Sequence, residues 1–139
     1  MNSDQLENLV RMGTLDRIPR SKVEFDNLVF RGKSLHRDSL NTDLSIQSRF
    51  SLAYGASHSF STAALRWHGY KASENRFTAF QTVTHTLDLN DAVPVLSEAH
   101  RRRGNVEYDA DPFDDEPFLD ALIEVNKRLA SKIDELEPI

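Results

Sequence analysis

The 139-residue chain contains no cysteine, which excludes a disulfide framework, a thiolate metal site and a cysteine nucleophile. Five prolines and five glycines are too few for a collagen-like or low-complexity chain. No apolar run approaches the roughly 20 residues of a membrane span, and the opening MNSDQLENLV lacks the basic start and apolar run of a secretory signal. These absences lead us to expect a cytoplasmic protein with no membrane contact. Cations are outnumbered, 17 Lys+Arg against 22 Asp+Glu, and the net charge of −5 repels duplex nucleic acid unless a local basic patch overrides it. What remains is 39% hydrophobic and 28% charged, enough apolar material for one globular domain over residues 1–139 with its core at about 21–136.

Helical periodicity dominates. A first segment is expected from Asp4 to Met12, with Ser3 as N-cap and Gly13 as the stop. Ser21-x-x-Glu24 is a capping box opening a second that fades near Asn41. The third, from about Ser45 to Trp67, carries Ile46, Phe50, Ala53, Phe60, Ala64 and Trp67 on one stripe and has Gly69 just past its end. Its many small residues suit the centre of a bundle. A loop over Tyr70–Asn75 precedes a fourth segment, in which Phe77, Phe80, Val83 and Leu87 recur at three to four and read as core. Asn90 or Asp91 can cap a fifth, with Pro94 tolerable only in its first turn, and a sixth follows the acidic stretch Glu107–Glu116. No segment alternates at period two. The predicted fold is an all-α bundle of five or six helices.

Chemistry concentrates in His100-Arg101-Arg102-Arg103-Gly104-Asn105-Val106-Glu107-Tyr108. At 100° per residue, Arg103 lies near the Ala99/Val106 stripe while Arg101 and Arg102 lean outward. A partly buried Arg keeps its charge and demands acceptors, so Arg103 is either held by a carboxylate of another helix or left open to phosphate. The acidic stretch lacks the alternating oxygens and central glycine of a Ca²⁺ loop, and no His-x₃-His spacing, Gly-rich phosphate loop or nucleophile elbow occurs. No metal or cofactor is expected. His58, four residues after Tyr54 on the third helix, is placed to hydrogen-bond with it as structural support.

Four stretches taken in order, Arg49-Phe50-Ser51-Leu52-Ala53-Tyr54, Gly69-Tyr70-Lys71, Arg76-Phe77 to His85, and Arg103-Gly104-Asn105-Val106-Glu107-Tyr108, resemble the small prokaryotic members of the HEPN superfamily that carry RF-x-x-AY, GYR and RN-x-x-x-Y patterns. The resemblance spans about residues 23–136. It implies an up-and-down helical bundle, commonly a homodimer, often paired with a nucleotidyltransferase-like antitoxin or placed in a defence system. The well-known members are metal-independent endoribonucleases whose motif is Arg, a polar residue and, four to six residues after the Arg, His. Here Gly104 takes the place of the adjacent polar residue, Asn105 comes one place late and Tyr108 stands where the His belongs. A phenol near pKa 10 does not accept the 2′-hydroxyl proton near neutral pH as an imidazole does.

The resemblance therefore implies Arg103, Asn105 and Tyr108 as site candidates, an RNA- or phosphate-binding role for Arg101, Arg102 and Arg103, and structural support from Arg49, Tyr54 and His58. It also implies RNA or a nucleotide as ligand, with weak or absent ribonuclease activity. The alternative is a non-catalytic dimeric module that holds a partner such as the antitoxin. An intact Arg-x₄-His at Arg31–His36 is what chance provides at this Arg and His content.

Overall fold

Local capping sets the helix boundaries. In the computed structural model, which describes residues 3–139, the Ser21 hydroxyl accepts from the Glu24 amide and opens α2 (Lys22–Ser39). Ser45 does the same through the Ser48 amide for α3 (Ile46–His68), and Gly69 ends α3 at φ 91°, a left-handed conformation that favours glycine. Before them lie α1 (Ser3–Arg11) and β1 (Leu15–Arg17). Helix α1 begins at Ser3 itself, and the capping role expected of that side chain lies outside what the structure describes.

Beyond α3 come β2 (Tyr70–Ala72), α4 (Arg76–Gln81), the single-turn α5 (Val83–Thr86), α6 (Ala92–Tyr108) and α7 (Glu116–Asp134). Among the described residues the fold is all-α apart from one antiparallel pair, β1 with β2, in register Leu15 to Ala72 and Arg17 to Tyr70. That pair corrects the expected loop at 70–75. Three residues per strand are too few to display an alternation. The expected fourth helix is broken in two at Thr82, whose hydroxyl donates to the Ala79 carbonyl instead of leaving the backbone ladder undisturbed.

Helix α3 is the hub, with Phe50, Ala53, Tyr54, Ala56, Phe60, Ala63 and Ala64 buried in one cluster with Leu96, Leu119, Leu122 and Leu129. Helix α2 lies close on it because Gly32 has no side chain: a Cβ there would stand 2.6 Å from the Phe60 ring. Across the hub, Asn126 of α7 donates to the Ala53 carbonyl at 2.9 Å and accepts from the Ser57 hydroxyl, so this buried polar pair leaves few unpartnered groups. A smaller cluster, Leu6, Leu15, Leu65, Tyr70 and Ala79, packs α1 and the strands onto one end of α3. Among the described residues no helix is long and apolar enough to cross a membrane.

A candidate anion-binding cleft

Helix α6 has two working flanks. Its first turn takes Pro94 as third residue, and its end is fixed where the Asp109 amide returns to the Asn105 carbonyl at 3.0 Å. Along one flank run His100, Arg103, Gly104, Glu107 and Tyr108, a three-to-four stripe facing Tyr54 of α3 and Arg76 at the start of α4. Together they line an open cleft of about 450 Å³.

Tyr54 is the centre of this cleft. Its side chain is buried and its hydroxyl lies 3.0 Å from His100 Nδ1. The Arg103 guanidinium sits over its ring at 4.8 Å, and Phe80 meets the ring edge-on at 5.6 Å. On its other side His100 stacks on Phe77 at 5.2 Å. Burial pushes the Tyr54 phenol up, whereas burial and then the nearby Arg103 and Arg76 push the His100 imidazole down. At neutral pH the pair is therefore an uncharged phenol and an uncharged imidazole. The phenol hydroxyl and Nδ1 share one hydrogen bond, whose direction follows the imidazole tautomer.

Arg103 donates from Nε to Glu107 at 3.0 Å, an i,i+4 pair on its own helix, not the expected carboxylate of another helix. Its guanidinium has five donors, and such a surface pair is weak, so donors remain for an incoming anion. Arg76 makes no ion pair among the described residues, and Tyr108 is 85% exposed at the mouth. The cleft thus presents two guanidiniums, an imidazole and two phenols against a single carboxylate. No group of three His, Cys, Asp or Glu residues among the described residues could hold a metal. The chain matches no protein-family model, no curated protein and no solved structure.

The other flank of α6 receives the remaining arginines. Arg102, expected to lean outward, is as enclosed as Arg103, with side chains 27% and 28% exposed. The correction has a physical cause: the chain after α6 folds back and brings Asp115, the N-cap of α7, within 2.7 Å of Arg102, while Glu98 takes its Nε at 2.8 Å and Phe118 lies under its guanidinium at 4.4 Å. Arg101 does lean outward, 61% exposed and paired with Glu98. Asn105 lies on this flank with Arg101 and Arg102, in a separate 140 Å³ pocket walled by Phe113 and Asp111–Asp115. The structure therefore brings Arg103 and Tyr108 together and leaves Asn105, Arg101 and Arg102 apart from them.

Of the supporting residues, Arg49 donates to the Ser39 carbonyl at 2.8 Å and ties the end of α2 to α3. The expected Tyr54–His58 bond is absent because the Tyr54 hydroxyl turns to α6. His58 instead meets Phe80 edge-on at 6.0 Å. Sequence reasoning missed His100 and Arg76. The spacing of His100, Arg103, Glu107 and Tyr108 contained the signal, since positions 0, 3, 7 and 8 share one helical face.

Proposed function

We propose that the chain is an HEPN-like protein that binds RNA or a nucleotide through phosphate in the Tyr54–Arg103 cleft, with weak or no ribonuclease turnover, as part of a toxin-antitoxin or defence-type system. The observation that carries this reading is the cation-rich cleft itself: Arg76 and Arg103 line it together with His100, where one carboxylate, Glu107, offers little competition. The exposed Tyr108 ring at its mouth offers a face on which a base can stack. Turnover is disfavoured by the residues at hand. A general base must accept a proton near neutral pH, and Tyr108 stands where the family's His belongs while the Nδ1 of His100 is already engaged with the Tyr54 hydroxyl.

The test is incubation of purified protein with single-stranded RNA in EDTA. Binding should fall steeply with salt as counterions are released, and Arg103→Ala should weaken it with little loss of fold. No binding by the wild type would refute the reading. Robust cleavage that vanishes in His100→Gln and Tyr108→Phe would overturn its no-turnover clause.

A second reading, a dimeric interaction module that holds a copy of itself or a nucleotidyltransferase-like antitoxin, is favoured by Val23 and Phe30. Seven residues apart on α2, they are 70% and 72% exposed. Light scattering at micromolar concentration giving a mass near the 15.9 kDa of one chain would count against it.

A further inference from the structure

Beside the cleft, and sharing only Arg76 with it, lies a second cavity of about 210 Å³ between α3, β2 and the start of α4. Cations dominate its wall. Arg66, Lys71 and Arg76 line it against one carboxylate, Glu74, in a chain whose net charge is −5. Lys71 and Arg76 make no ion pair among the described residues, and the one carboxylate near Arg66, Glu24, stands at 3.3 Å. Two polar atoms in this wall, Arg66 Nε and Ser73 Oγ, are buried and have no hydrogen-bond partner among the described residues. Unpartnered buried donors are uncommon in folded proteins because each forfeits its hydration. Three cations facing one lining carboxylate around such donors match one kind of guest: an oxyanion with several acceptor oxygens.

We infer that this cavity is a phosphoryl subsite, distinct from the Tyr54–Arg103 cleft, in which Arg66, Lys71 and the Ser73 hydroxyl hold the oxygens of one phosphate group. At about 210 Å³ it is smaller than the ~300–1,000 Å³ of ligand pockets that enclose a whole drug-sized molecule, consistent with a group and not a complete nucleotide. His58 borders it as a neutral imidazole, held near pKa 4 by burial and then by Arg76 and Arg31. A phosphate seated there offsets those arginines. The subsite stands on its own donors, so it survives or fails independently of the reading of the cleft.

The test is an NMR titration of the folded chain with inorganic phosphate and, separately, with single-stranded oligouridylate. The Ser73 amide and the Arg66 Nε–H should shift saturably with phosphate. Arg66→Gln and Lys71→Ala should each weaken that response at least tenfold, while Arg103→Ala leaves it in place. Ser73→Ala removes a buried hydroxyl with no partner, so it should weaken phosphate binding without lowering the unfolding midpoint, a combination that a structural role does not produce. If the guest is a nucleic-acid backbone, oligouridylate binding should weaken in both Arg66→Gln and Arg103→Ala. If it is a free phosphate, oligouridylate should leave the Ser73 amide unmoved. Absence of a saturable phosphate shift at Ser73, or a shift that persists in Arg66→Gln and Lys71→Ala, overturns the subsite.

Discussion

Arg102 and Arg103 are neighbours in sequence, equally enclosed, and chemically opposite in their surroundings. Both guanidiniums lie over an aromatic ring, but Arg102 is matched by two carboxylates and its flank of α6 is acidic: Asp111, Asp114 and Asp115 stand with two arginines around the pocket there. Arg103 has one carboxylate, on its own helix, and shares its cleft with a second, unpaired guanidinium. Charge that is already matched holds a structure together. Charge left in excess next to an open cleft is available for something else, and the difference lies in what the two flanks face, not in the residue type.

The comparison can be broken by removing what each flank depends on. The largest effect should come from Phe113, which is buried on the Arg102 side and stacks on Phe50 at 4.0 Å with the rings 7° apart. Phe113→Ala should cost about 3–5 kcal/mol in urea unfolding. A loss under about 1 kcal/mol would mean that the fold-back after α6 is not fastened at all.

Acid should separate the two sides by pH. His58, beside the cationic cavity, titrates near 4 when folded and near 6.5 when unfolded, so between these values the unfolded chain binds the extra proton. Stability should fall as pH drops from 6.5 to 4, with a slope of up to about 1.4 kcal/mol per pH unit, and His58→Phe should flatten that limb. Glu98 is held near 2 by hydrogen bonds from Arg101 and Arg102, so its contribution is complete above about 4.5 and is lost as pH falls toward 2. A Glu98→Gln variant should therefore differ from wild type in a lower pH window than His58→Phe. One common window for both would dissolve the distinction.

Arg102→Ala should destabilise by about 1–2 kcal/mol, less than the 3–5 of a fully buried pair, because about a quarter of the side chain reaches solvent. Binding of phosphate or RNA should be unaffected. Arg103→Ala should show the reverse, under about 1 kcal/mol in stability and a salt slope of binding lower by about one. Equal loss of stability in the two variants, measured by the same denaturant titration, would show that Arg103 is as structural as its neighbour.

Much of the fold was legible in the sequence because it is local. Ser21 caps as its neighbours dictate, the third helix starts beside Ser45 where its apolar stripe begins, and the Phe50–Phe60–Ala64 stripe is the buried face of α3. What escaped depends on chain that returns from elsewhere. Arg102 cannot be told from Arg101 on a helical wheel, since its second partner sits 13 residues on at the cap of another helix. His100 looked like a bystander to the arginine run, because its partner Tyr54 is 46 residues away and its stacking partner Phe77 belongs to α4. Asn105 looked like a companion of Arg103 only because the two are close in sequence: two residues apart on a helix means nearly opposite faces.

The single tryptophan has a use of its own. Trp67 lies at the end of α3 with Arg20 over its ring at 4.7 Å, and its indole N–H donates to the Glu137 carbonyl at 2.7 Å, beyond the end of α7. One fluorophore is thus clasped between the segment leading into α2 and the segment leaving α7. Its emission is a built-in gauge of whether these two distant stretches of chain are fastened together, readable without any label.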